Sequence, residues 1–399
     1  MYTDIVSELV LEKGGSILLA VMDGVGDTTI GELDGMTPLE AAETPNMDKL
    51  ASISALGQHL PVGQGITPGS GPGHLALFGY DPVKYLVGRG ALAALGIGFS
   101  LKQGDLAARI NFCTLDDNGV ITDRRAGRIP TEKCAELTDA LKEITIPGFE
   151  VFVEPVKEHR ACVVFRGPGL SDEMNDTDPG LTGEKPHILE GPEKSVSVVN
   201  KFLAQAEEIL KNREPANGLL LRGFALHGTM PGLKEKYHLN SAAVALYPMY
   251  RGVASLAGMK VMPVEPSSLD GQTQAAKKAL DEGSDFVFLH HKYTDSSGED
   301  GDYRRKVQEV ENFDRALPGL LGLGFDVVCI TGDHSTPCPM KLHSWHPVPV
   351  LIHGGHQRIG WNCRFTERES AAGALGTFRG YELMPLLLAS AGRLGKFGA

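Results

Sequence analysis

The hydrophobic positions of the chain fall first into short, almost uninterrupted runs. Ser16–Met22 (SILLAVM) stops at Asp23-Gly24. A run without polar alternation predicts a strand buried on both faces, as in a parallel sheet. Ala242–Tyr247, Phe286–His290 and Val327–Thr331 repeat the pattern, each closing on polar residues or glycine. Between them, Gly271–Glu282 and Tyr303–Gly322 carry helical patterning. Alternating strands and helices predict a doubly wound, mostly parallel α/β domain whose ligands sit at the carboxyl ends of its strands.

The middle of the chain is patterned differently. Asp105–Thr114, Gly119–Asp123, Phe149–Glu154 and Ala161–Arg166 are β-rich, one helix is expected near Thr131–Glu143, and Gly167–Pro192 is crowded with Gly, Pro, Asp and Asn. This predicts a separate, smaller α+β unit at 104–225, inserted into a discontinuous domain formed by 1–103 and 226–399. A length of 399 residues agrees with two domains.

Composition narrows the function classes. The chain is 42% hydrophobic and 22% charged, which is ordinary for a globular protein. Its 38 basic and 50 acidic residues give a net charge of −12, without the basic footprint of a nucleic-acid binder. No apolar run approaches the ~18 residues of a membrane span, and Met1–Gly15 lacks the pattern of a secretory signal. The six cysteines are scattered with no CxxC pair, so reduced, core-filling thiols and a cytoplasmic location are expected. Oligomeric state is left open.

Polar clusters at the ends of the core strands carry the candidate chemistry. Asp23 follows the first strand. Ser70 lies in the glycine-rich turn Thr67-Pro-Gly-Ser-Gly-Pro-Gly-His74. Asp295 and Glu299 follow Phe286–His290, Asp333 and His334 follow Val327–Thr331, and His343 comes nine residues after His334. Each has an ordinary structural explanation alone: a turn, a cap, a solvated helix start. Together, after successive strands, they form a mixed Asp/Glu/His set suited to divalent Mn, Zn, Co or Mg.

The motifs resemble one family nearly end to end. Pro68–Pro82 (PGSGPGHLALFGYDP), Gly88-Arg-Gly90, Asp123–Arg128, His159-Arg160, Ser171-Asp172, Asp176–Pro179, Leu221–Gly223, Thr331–Ser335 and Gly373–Pro385 are similar to the archaeal-type, 2,3-bisphosphoglycerate-independent phosphoglycerate mutases. Thr44–Ala51 is similar to a stretch shared by phosphatases and sulfatases of the alkaline phosphatase superfamily, to which those mutases belong. The resemblance implies an alkaline-phosphatase-like core and reversible conversion of 3-phosphoglycerate and 2-phosphoglycerate through a phosphoserine at Ser70. It also implies two divalent ions and no 2,3-bisphosphoglycerate. One ion would be held by Asp23, Ser70, Asp333 and His334, the other by Asp295, Glu299 and His343. The inserted unit would serve as a lid that excludes water.

Position 299 commonly holds histidine in this family. Glutamate adds a fourth carboxylate to the set and favours Mn²⁺ or Mg²⁺ over Zn²⁺ or Co²⁺; the alternative ligands are His346 and His291. Arg124, Arg125, Arg128, Arg160 and Arg222 are candidates for the carboxylate and phosphate of a phosphoglycerate, with Arg160 and Arg222 ahead of the dense run. The run's alternative role is pairing with Asp116, Asp117 or Asp123. Lys292 is a further candidate for phosphate. Asp176 and Asp178 are expected to shape a loop, and His74 to pack or to orient the serine turn. The rival activities are another phosphomutase or phosphatase of the superfamily and a homoserine-kinase-like relative; no P-loop is visible. A scaffold that keeps the metals without turnover is the non-enzymatic rival.

Overall fold

All six residues of Ile17–Met22 are buried, and side chains leave a strand alternately on opposite faces. Leu18, Ala20 and Met22 join a core with residues of the helices Leu269–Asp281 and Tyr303–Leu321, while Ile17, Leu19 and Val21 are equally buried on the other face. This double burial is why the run is continuously apolar. The computed structural model describes residues 2–85, 88–228, 230–361 and 363–398. Its two units are Met1–Leu86 with Pro231–Ala399, and Val87–Met230.

The larger unit is built on an eight-stranded sheet. In spatial order the strands are Gly376–Arg379, Ala55–Leu60, Val348–Gly354, Val327–Thr331, Ile17–Met22, Phe286–His291, Ser241–Ala245 and Lys260–Val261. Among the described residues only Val348–Gly354 runs against its neighbours. The expected mostly parallel sheet is therefore present. Its register has a chemical consequence. Met22 pairs with His291 and Val21 with Thr331, so Asp23, Lys292 and the Gly332–His334 segment leave the sheet side by side at one edge. No helix among the described residues is long and apolar enough to cross a membrane.

The smaller unit carries a five-stranded antiparallel sheet around Leu106–Leu115, which pairs with Ile121–Asp123, Arg160–Arg166 and Gly218–Leu226; Glu150–Lys157 flanks Arg160–Arg166. Thr131–Leu141 and the 18-residue helix Glu193–Leu210 cover one face. Arg89–Gly96 covers the other through Ala91 and Ala94 against Ala107, Cys162, Val164 and Ala225. A Cβ on Gly90 would stand 2.4 Å from the Ala107 carbonyl oxygen and from Ala108 Cα, so glycine permits this close approach of helix to sheet. That packing draws Arg89–Gly96 into the smaller unit and puts the boundary at 86/87, ahead of the 103 expected from composition. The second boundary, at 230/231, lies five residues past the expected 225/226 step because Gly218–Leu226 completes the sheet.

All six cysteines are free thiols, five of them buried in keeping with a packing role; Cys363 is exposed and departs from it.

Candidate active site

Three loops and two helices of the larger unit converge at the sheet edge. Asp23 follows its strand directly, its N–H donating to the His291 carbonyl at 2.9 Å. Asp333 and His334 follow Val327–Thr331. Asp295 and Glu299 lie one turn apart on a helix, Tyr293–Asp300. Spacing of four puts both carboxylates on one helical face. Ser70 opens the helix Ser70–Leu77. Pro72 is tolerated there because first-turn N–H groups need no partner within the helix, a Cβ on Gly73 would stand 2.6 Å from the Asp333 carbonyl oxygen, and the serine stands at the positive end of the helix dipole.

Two donor sets result, one from Asp23, Asp333 and His334 and one from Asp295, His334 and His343, each with ligand atoms within 4.8 Å of one another. His334 belongs to both, and its Nε2 faces the first. This nitrogen stands 3.3 Å from Ser70 Oγ, 3.4 Å from Asp23 Oδ1 and 3.2 Å from Asp333 Oδ2. The His343 ring stacks on His334 at a centroid distance of 3.7 Å, with Nε2 3.7 Å from Asp295 Oδ1 and 3.9 Å from Glu299 Oε1. Glu299 thus sits at the outer, half-exposed edge. The two alternative ligands are placed elsewhere: His291 Nε2 is 3.3 Å from Glu309, and His346 Nδ1 is 2.9 Å from Ser344 Oγ.

The donor set fits divalent ions. Asp23 and Asp333 are wholly buried: Asp23 Oδ1 has no hydrogen-bond partner, and Asp23 Oδ2 and Asp333 Oδ2 face ammonium and imidazole nitrogens at 3.0–3.2 Å, a costly placement for carboxylate oxygens unless positive charge compensates it. Lys292, a candidate phosphate contact, places its ammonium 3.0 Å from Asp23 Oδ2 and against Asp295 Oδ2. A cationic group bridging these two carboxylates marks where positive charge is stabilised. Burial pushes the Asp23 carboxyl upward, but Lys292, His290 and His334 outweigh it and hold Asp23 well below the usual carboxylate range. Burial lowers the pKa of His334 against the pull of Asp333 and Asp23, keeping the imidazole neutral as metal ligation requires. Burial also raises Glu299, reinforced by Asp295.

Several residues of this neighbourhood escaped sequence reading. His290 Nε2 is 3.2 Å from Asp23 Oδ2, and its ring stacks on Tyr250 at 3.7 Å. His290 ends an apolar run and reads as core; its strand-end position was the available signal. His74 does both things proposed for it: its ring packs among Phe78, Tyr250 and Phe288, and Nδ1 lies 2.9 Å from the Ser70 carbonyl oxygen and 3.1 Å from Asp333 Oδ2.

In the smaller unit, Arg124 makes a bidentate pair with Asp178, both bonds 2.9 Å. Arg222 Nη1 is 3.4 Å from Asp178 and its Nε 3.9 Å from Asp176. Arg89, left out of the candidate set, shares this electrostatic environment with Arg160 and Arg222; burial first, then Arg222, lowers its pKa. The Nε atoms of Arg160 and Arg222 are buried without a hydrogen-bond partner. Arg125 and Arg128 are exposed. Asp123 accepts the N–H groups of Arg125 and Gly127, and Asp116 those of Asn118 and Val120. These two acids shape turns, and the arginine run finds its carboxylate at Asp178. Asp176 accepts the Gly223 N–H at 2.6 Å and Asp178 the Gly180 N–H at 2.9 Å, the expected loop-shaping role combined with holding arginines.

One neighbour of the site predicts an acid response. His59, buried on Ala55–Leu60, donates from Nε2 to the Gly332 carbonyl at 2.9 Å. Burial takes its pKa down to about 4, against the opposing Gly332 and Asp333 contributions. The unfolded chain binds a proton near pH 6.5 while the folded chain resists until about 4, so the stability contribution is complete above 6.5 and is lost as pH falls through that window. His59→Gln should flatten the slope of urea-unfolding stability between these pH values; an unchanged slope would assign it to other groups.

The fold and site define an α/β protein with a serine at a helix N-terminus beside two sets of carboxylate and imidazole donors. The family model of 2,3-bisphosphoglycerate-independent phosphoglycerate mutase matches residues 51–217. A protein of Thermus thermophilus named as a probable enzyme of that kind is 50% identical over 403 residues, 99% of both chains. A likewise named Aquifex aeolicus protein is 49% identical over 411 residues, 99% of this chain and all of its own. Among solved structures, the PH0037 protein from Pyrococcus horikoshii is 33% identical, with TM-score 0.84 over 97% of this chain and 100% of its own. A cofactor-independent phosphoglycerate mutase from Thermoplasma acidophilum is 34% identical, with TM-score 0.73 over 94% of this chain and 100% of its own. The chain belongs to the 2,3-bisphosphoglycerate-independent phosphoglycerate mutase family.

Proposed function

We propose that the protein is a cytoplasmic isomerase interconverting 3-phosphoglycerate and 2-phosphoglycerate, with Ser70 as temporary phosphate carrier. The observation that carries this reading is Ser70 Oγ 3.3 Å from Nε2 of His334, the residue common to both donor sets. Asp23, Ser70, Asp333 and His334 would hold one divalent ion and Asp295, Glu299 and His343 the other. When bound, the pair supplies positive charge that stabilises a serine alkoxide and the oxygens of a transferring phosphoryl group.

Ser70 Oγ gives up its proton and attacks the substrate phosphorus; one P–O bond forms to the serine as the bond to the glycerate oxygen breaks, and that oxygen takes up a proton in exchange. Glycerate reorients, and its other hydroxyl attacks phospho-Ser70, losing its proton as the serine oxygen departs. The phosphate stored on Ser70 makes free 2,3-bisphosphoglycerate unnecessary. Arg124, Arg160 and Arg222, joined by Arg89, are assigned to substrate carboxylate and phosphate because guanidinium forks match both; Arg125 and Arg128 are secondary. An alkaline-phosphatase-like ancestry for the larger unit and a substrate-binding role for the smaller belong to the same reading.

The test is a coupled mutase assay without 2,3-bisphosphoglycerate, before and after chelation and Mn²⁺ restoration. Activity should vanish with the metal and return with it. Parallel assays on a pentose phosphate and a generic phosphate ester separate the mutase from a phosphomutase or phosphatase; faster turnover of either would displace the reading. Asp23, Asp295, Glu299 and Asp333 form a hard, anionic ligand set favouring Mn²⁺ or Mg²⁺ over Zn²⁺ or Co²⁺. Glu299→His should weaken Mn²⁺ affinity relative to Zn²⁺ by about tenfold, read by competition titration. An unaltered ratio would remove Glu299 from the ligands.

A further inference from the structure

Thr336 lies two residues beyond His334, and no motif singled it out. Its side chain is fully buried, and its hydroxyl is 2.6 Å from Asp295 Oδ1 and 3.0 Å from His334 Nδ1. A hydroxyl has one proton to give. Asp295 is an acceptor, so Thr336 Oγ1 donates to Asp295 and accepts from His334 Nδ1–H. With the proton on Nδ1, the lone pair of His334 lies on Nε2, the atom that faces Ser70, Asp23 and Asp333. One hydroxyl therefore sets the tautomer of the imidazole common to both donor sets and orients a carboxylate of the second.

The residue is built in as a fixed post. Its N–H donates to the Gly26 and Gly24 carbonyls at 3.0 and 3.3 Å, and its own carbonyl accepts from buried Lys306 Nζ at 2.9 Å. A Cβ on Gly24 would come within 2.4 Å of Thr336 Oγ1, and a Cβ on Gly298 within 2.3 Å of the Thr336 carbonyl oxygen and 2.9 Å of Cγ2. Two glycines, one after Asp23 and one on the Asp295 helix, thus let Thr336 reach the loops that carry the donors. A β-branched side chain held at both backbone ends has little rotamer freedom.

We infer that Thr336 is a positioning residue for the metal centre, locking His334 with Nε2 unprotonated and coupling it to Asp295. The inference rests on the proposed two-metal reading and names the side chain that prepares it. Partners of this type tune metal affinity by about 10- to 100-fold. Thr336→Val keeps the branched shape and the contact with Gly298 while deleting the hydroxyl; Thr336→Ser restores it.

The experiment is Mn²⁺ binding to metal-stripped full-length protein, followed by the electron paramagnetic resonance of free Mn²⁺, with circular dichroism to verify folding. Wild type and Thr336→Ser should bind within about threefold of each other, and folded Thr336→Val should bind about 10- to 100-fold more weakly. Equal affinity of the valine variant, or failure of serine to restore binding, overturns the inference. If valine does not fold, the serine comparison is repeated against Thr336→Cys, whose weaker hydrogen bonding should leave affinity between serine and complete loss; affinity equal to serine's overturns the inference. Absence of Mn²⁺ binding by the wild type overturns the two-metal reading itself, and the inference with it.

Discussion

Ser70→Ala should lower mutase turnover by about 10³-fold or more, since removing a nucleophile removes the covalent route. Nearby hydroxyls are committed elsewhere. Thr336 contacts Asp295 and His334, and Thr294 Oγ1 donates to the Asp23 carbonyl at 2.5 Å. Neither stands where it could replace Ser70 as phosphate carrier. Metal content should fall only in part, because Asp23, Asp333, Asp295, His334 and His343 remain. The check pairs a coupled assay with labelled substrate: wild-type protein should acquire acid-stable label on Ser70, and the alanine variant none. Undiminished turnover in the variant would end the phosphoserine mechanism.

The largest expected loss of stability is at Lys306. This wholly buried lysine donates to Asp27 Oδ2 at 2.8 Å and to the Thr336 and Gly26 carbonyls at 2.9 and 3.2 Å. Asp27 also accepts the Cys338 N–H with both oxygens, at 3.1 Å each. Lys306→Met leaves a buried carboxylate without its cation and the Thr336 carbonyl without its lysine donor, while the Gly26 carbonyl keeps the Thr336 N–H. Breaking a buried pair from one side costs about 3–5 kcal/mol, whereas removing both charges costs less. Urea unfolding should show that loss for Lys306→Met, with Asp27→Asn combined with Lys306→Met recovering part of it. A loss below about 1 kcal/mol would mean that solvent or rearrangement satisfies Asp27.

Pattern and motif made much of the larger unit legible. Runs such as Ile17–Met22 and Val327–Thr331 are apolar because both sheet faces are covered, so the strands and their polar ends could be read directly. The strand Val348–Gly354 was overlooked: proline at 347 and 349 argues against a strand, yet its pairing with both neighbours survives. The helix Glu193–Leu210 is not among the expected elements, although its buried Val198, Val199, Phe202, Ala206 and Leu210 fall at helical spacing. The helix start that Asp295 and Glu299 suggest by themselves is present, although Ser296–Gly298 is poor in helix formers, and packing of the short helix overrides that local preference.

By itself the sequence determined which residues end the core strands and which carry carboxylate, imidazole or hydroxyl, since local burial writes itself into apolar periodicity. Only the tertiary structure decided that His334 is shared between two donor sets, that Lys292 bridges Asp23 and Asp295, that Arg124 seeks Asp178, and that Thr336 stands behind the imidazole. Those pairings join residues far apart in the chain. They arise from strand register and close backbone approach at glycine, and neither leaves a periodic trace.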